Sequence, residues 1–135
     1  MSASTVERNT QRRAAHQLSF PAAAGVKILA GTIVVLNAAG NAEPGATATA
    51  KITLGVAEST VDNSAGAAGD LQVPVLRGCF HLANSASADA LANADYGSTC
   101  YLVDNQTVAK TDGSAARSKA GVVRGVDAAG VWVEF

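Results

Sequence analysis

Aromatic side chains are scarce in this chain of 135 residues, which has three Phe, two Tyr and one Trp. Its core must therefore be aliphatic. Large aliphatic groups are also fewer than the 48% hydrophobic content suggests, because Ala supplies 29 of those residues and Val, Leu and Ile together 27. This stock suits one domain, and it favours a fold that buries further surface in an oligomer or against a partner. Charge of one sign is also missing. With a net charge of −1 and a pI of about 6.0, the chain lacks the positive field that nucleic-acid binding needs. No apolar run exceeds strand length, so no membrane span is predicted. No N-terminal stretch joins a basic start, an apolar segment and a cleavage site, which leaves the cytoplasm as the expected place of synthesis.

Ligating and nucleophilic groups are few. Two Cys and two His without Cys-x-x-Cys or His-x₃-His spacing do not make a metal centre. Cys79 and Cys100 fall in apolar, strand-like runs and read as reduced, buried thiols; a bridge between them stays open if their strands are neighbours. His16 lies near the N-terminus, whereas His81 shares one face of a strand with Cys79 at i, i+2. A thiol–imidazole pair is conceivable there, but no third group orients it, and an ordinary strand histidine is the simpler reading. There is no Gly-x-Ser-x-Gly elbow, phosphate loop or dinucleotide fingerprint. Asp62-Asn63-Ser64-Ala65-Gly66 begins like a calcium loop but lacks the alternating ligands and closing Glu, so it reads as a polar loop. Asp89 and Asp95 read as helix-terminus residues rather than paired catalytic carboxylates. Asn105-Gln106-Thr107 matches a glycosylation sequon without a secretory context. The expectation is a protein that is not an enzyme, with no catalytic, metal-binding or cofactor-binding residue.

The chain does contain repeated turns. Asn37-Ala38-Ala39-Gly40 and Asp127-Ala128-Ala129-Gly130 are the same turn in two places, and Asp104-Asn105-Gln106-Thr107 is a looser third. An Asx side chain can bond its own turn backbone, and a closing Gly can adopt positive φ, so each predicts a β-hairpin. Strand candidates are Val26–Leu29, Thr32–Leu36, Ile52–Glu58, Leu71–Leu76, Cys79–Leu82, Thr99–Val103, Thr107–Lys110, Gly121–Val126 and Val131–Phe135. Short strands at this spacing predict an all-β fold, a small barrel or sandwich built from hairpins. Ala38–Ala50 and Asn63–Gly69 read as surface loops. The shift of alternation at Arg77-Gly78 suggests a bulge, and Pro74 suggests an edge strand or a neighbouring irregularity. Ala88–Asp95 is the one helical stretch, stopped by Gly97, with Leu91 as a plug over an open end of the β structure.

Met1–Ser19 is polar, with Arg8, Arg12 and Arg13 against Glu7 and almost no large apolar residue. It reads as an extended N-terminal arm, joined through Phe20 and Pro21 to a domain, with residues 1–24 as arm and hinge and 25–135 as the β-domain. Such a segment cannot offset its own ordering cost, so it is disordered or ordered by a partner. In the last strand Trp132, Val133 and Phe135 alternate; core burial and contact with a neighbouring subunit both remain open for Trp132 and Phe135.

Taken together, Ala30–Asn37, Leu54–Ala57, the hairpin Tyr96–Lys110, Ala120–Val123 and Gly130–Val133 resemble the small capsid decoration, or cement, proteins of tailed bacteriophages. The resemblance spans roughly residues 25–135 and rests on patterns of strand and turn. It implies a β-barrel or β-tulip protein without a cofactor, assembled as a homotrimer at three-fold or pseudo-three-fold positions outside the phage head. There it would bridge and stabilise neighbouring major capsid subunits, and its localisation would be the virion. The arm residues Arg8, Arg12, Arg13, His16 and Phe20 would then be capsid contacts, and Trp132 and Phe135 oligomer contacts. The alternatives are another phage structural β-domain, in tail or baseplate, and a ligand-binding or hydrolytic β-domain that uses His81 and Cys79.

Overall fold

All three Asx turns close hairpins in a computed structural model of the chain, which describes residues 2–135. Asn37 Oδ1 accepts from the amides of Ala39 and Asn41, joining β3 (Ile33–Leu36) to β4 (Ala42–Pro44). Asp104 Oδ1 accepts from Gln106 and Thr107 between β9 (Thr99–Leu102) and β10 (Thr107–Ala109). Asp127 Oδ1 accepts from Ala129 and Gly130 between β11 (Lys119–Asp127) and β12 (Gly130–Glu134). The closing glycines of the twin turns serve different ends. Gly40 has φ +83, whereas Gly130 is needed because a Cβ there would strike the Leu82 carbonyl.

Five strands form a closed barrel in the order β10, β8 (Cys79–Asn84), β12, β11, β9. Every pairing is antiparallel except that of β8 with β10. Side chains fill so small a barrel, here Leu82, Leu102, Val108, Val123, Val131 and Val133 with the Cys100 thiol. The expected helix at Ala88–Asp95 is instead two 3-10 turns, Ser87–Asp89 and Asn93–Asp95, which leave Leu91 between them. Leu91 does plug the barrel, 4% exposed and packed into its core. Short polar caps make the turns: Asp95 accepts from the Ala92 amide at 2.8 Å, and Asp89 pairs with Arg117 at 3.0 Å.

A second sheet runs β1 (Gln17–Pro21), β7 (Gln72–Leu76), β5 (Ile52–Ala57), β3, β4. Its own core holds Val34, Leu54, Val73, Val75 and Ile28, the last from the small ribbon of β2 (Lys27–Ile28) and β6 (Val61–Asp62). Strand β3 is the shared wall. Ile33 and Val35 face the barrel core and Val34 the sheet core, which explains an apolar run with no polar face. Polar ties fasten the two bodies: Ser118 Oγ donates to the Ala48 carbonyl and accepts from the Lys51 amide, and Thr53 Oγ1 donates to the Lys119 carbonyl.

Several local expectations are corrected. Gly78 is not a bulge within a strand but the junction where the chain leaves the sheet at Leu76 and enters the barrel at Cys79. Of the two expectations for Pro74 the edge fails, since β7 lies between β1 and β5, and the neighbouring irregularity holds. The Pro74 carbonyl accepts from Glu58 at 2.9 Å but its nitrogen returns nothing, so the β5 register stops at Ala57 opposite Val75. The loop 38–50 contains β4, whose Ala42 is fully buried against the Ala22 and Ala23 segment. In the loop 63–69, Asn63 is buried and donates to the carbonyls of Ala23 and Ala67. The sheet also begins inside the expected arm and hinge: Gln17–Pro21 is a strand because Leu18 and Phe20 alternate with polar neighbours and lie half-buried on one face.

Candidate functional site

Every residue from Ser2 to Gln17 is exposed, and Arg8, Arg12, Arg13 and His16 all lie in this stretch. Met1 lies outside the described residues. The first anchoring contact is the His16 carbonyl, which accepts from the Arg77 amide at 2.8 Å. From there the chain runs directly into β1. Phe20, predicted as a capsid contact on the arm, is instead half-buried against the sheet core.

Strand β1 is the outer strand of its sheet, paired with β7 alone. In an antiparallel ladder the N–H and C=O of a residue point to the same side, and the side alternates along the strand. The bonds from Arg77 N to His16 O and from Ala22 N to Leu71 O place the even-numbered residues toward β7. Gln17, Ser19 and Pro21 therefore turn their backbone polar groups outward. Pro21 has no N–H to leave unpaired there, which is the usual place for proline in a sheet. A groove of about 440 Å³ follows this edge, lined by Arg13, Gln17, Leu18, Ser19, Phe20 and Pro74. Nearby, Gln17 Nε2 donates to Glu58 at 3.0 Å, and Ser19 Oγ donates to Gln72 at 3.3 Å.

The outside of the barrel carries a second group. Trp132 is not core: Val131 and Val133 take the interior, and Trp132 is 43% exposed on the outer face. His81 lies opposite it in the β8–β12 register, ring centroids 4.9 Å apart. His81 Nε2 lies 3.1 Å from Asp127 Oδ1, and Trp132 Nε1 donates to Asp127 Oδ2 at 3.3 Å. The amide of Ala129 above all, then His81, holds the Asp127 carboxyl below its usual range. The orienting group that local sequence did not supply for His81 thus comes from the β11–β12 hairpin, 46 residues away, where it pins a turn. Arg124 lies over the Tyr96 ring at 5.8 Å and donates to Glu134 at 2.6 Å. Phe135 is half-buried against the barrel core, its ring 6.1 Å from that of Phe80.

The thiols separate. Both are free, Cys100 buried as expected but Cys79 exposed, because β8 turns its odd-numbered side chains outward. Burial pushes the Cys100 thiol up to about 11. Among the described residues no group of three or more His, Cys, Asp and Glu side chains is placed to hold a metal, and no helix is long and apolar enough to cross a membrane. Asp62 accepts from Ser64, and Asp89 and Asp95 secure the two 3-10 turns. No protein-family model, curated protein or solved structure matches the chain.

Missing from the sequence-based site was the β1 edge. Its signal was present in Gln17-Leu18-Ser19-Phe20, a polar–apolar alternation too short to stand out beside a polar arm.

Proposed function

We propose that this chain is a structural virion protein, a capsid decoration protein that works by binding and not by catalysis. Its β-domain would assemble, as a trimer by resemblance, on the outside of a phage head, while the arm lies on adjacent major capsid subunits and ties them together. The observation that carries the reading is the arm itself. An exposed, basic segment leads without a break into the outer strand of a braced β-domain. A partner surface supplies the contacts that such a segment does not make within its own chain. The exposed Trp132 on the barrel exterior gives the oligomer a candidate contact.

Cryo-electron microscopy of particles carrying the protein tests the assignment. The expected result is density for the β-domain at three-fold or pseudo-three-fold positions on the head. Density on the tail or baseplate would replace the decoration role with another structural one, and particles lacking the protein would remove the virion role.

A further inference from the structure

We propose that the open edge of β1 accepts one more strand, supplied by an extended acidic segment of a partner protein. This deepens the arm contact proposed above and rests on that reading for the partner's place in the particle. The pairing itself is a property of this chain and can be examined without particles.

The N–H groups of Gln17 and Ser19 and the carbonyls of Gln17, Ser19 and Pro21 face the side where no further strand stands. Natural sheets usually blunt such an edge with a charge, a bulge or a covering loop. Here Pro21 blunts only the far end. The groove touches four consecutive residues, Gln17 to Phe20, and so follows the strand edge as well as one face. An added strand would give its backbone hydrogen bonds to that edge, with alternate side chains flanking Leu18 and Phe20 on one face and Gln17 and Ser19, beside Pro74, on the other.

Charge selects the occupant. Arg13 lines the groove, Arg77 stands exposed at the strand's start, and Arg8 and Arg12 precede them on the arm. The Glu58 carboxylate, which accepts from Gln17 Nε2 at 3.0 Å, is outnumbered by these arginines. A second copy's arm would bring more arginine to an already basic edge, whereas an acidic strand complements it.

The test uses the full chain, a short synthetic peptide alternating valine with glutamate, and a counterpart with lysine for glutamate. Amide hydrogen exchange is read residue by residue. The acidic peptide at about ten times its Kd should slow exchange at Gln17 and Ser19 about tenfold. The lysine peptide should do so far less, and Arg13→Glu should weaken the acidic peptide. Ser19→Pro removes an outward N–H while sparing the bonds to β7, and it should abolish the effect. If that variant does not fold, an acidic peptide with N-methylated backbone replaces it and should give no protection. Unchanged exchange at Gln17 and Ser19, or protection elsewhere, overturns the proposal; equal protection by the lysine peptide overturns its acidic partner. Either failure, beside normal attachment to heads, would leave the decoration role standing.

Discussion

The side chain of Asn84 holds the backbone of Leu91 from both sides: its Nδ2 donates to the Leu91 carbonyl and its Oδ1 accepts from the Leu91 N–H, each at 2.9 Å. This clamp seats the barrel plug. Asn84→Ala should cost about 1–3 kcal/mol, because it leaves two part-buried backbone groups without partners. Leu91→Ala should cost about 2–5 kcal/mol through the cavity beneath the plug. Urea unfolding of the two variants checks both. Wild-type stability for Asn84→Ala would show that packing alone seats Leu91.

The twin turns should respond differently to alanine. At Gly40 the cost is backbone strain, about 1–2 kcal/mol, confined to the β3–β4 turn. At Gly130 the new Cβ meets the Leu82 carbonyl, so the β8–β12 pairing must open. Amide exchange should quicken near Leu82 and Val131 in Gly130→Ala but not in Gly40→Ala.

Thiol labelling should distinguish the cysteines. A maleimide at neutral pH should modify one site on the folded protein, Cys79, and Cys79→Ser should remove that reaction. Cys100, buried and with its thiol pushed up to about 11, should label only on unfolding. Rapid labelling of the folded Cys79→Ser variant would contradict the barrel packing.

Acid should destabilise the fold. Asp62, Asp89, Asp95 and Asp127 are all held below the usual carboxylate value of 3.8, chiefly by the Ser64 hydroxyl, the Thr111 hydroxyl, the Ala92 amide and the Ala129 amide respectively. Lowered folded values mean that the stabilisation is fully present above 3.8 and is lost as pH falls through them. The Tm should therefore be nearly level above about pH 5 and decline below about pH 4. Asp127→Asn should flatten part of that decline, and a level Tm down to acid pH would contradict these contacts.

Sequence showed the hairpins plainly, because the Asx turn is a local device: Asn37, Asp104 and Asp127 each bond amides two to four residues on. Leu91 was legible for the same reason, as the one large apolar residue in an Ala-rich stretch. What stayed hidden depends on distant partners. Whether Gly78 bulges or links two bodies, whether Pro74 lies inside a sheet and whether Trp132 faces out are decided by which strands adjoin them. The pairing of Asp127 with His81, like the free edge at Gln17 and Ser19, exists only once the strand order is set.

The most direct test removes residues 2–15, stopping before the His16 carbonyl that Arg77 binds, and measures occupancy of the protein on phage heads. The account predicts a shortened chain with an intact β-domain, unchanged in circular dichroism and Tm, that is largely lost from the particles. Full occupancy by the shortened, folded protein would contradict it.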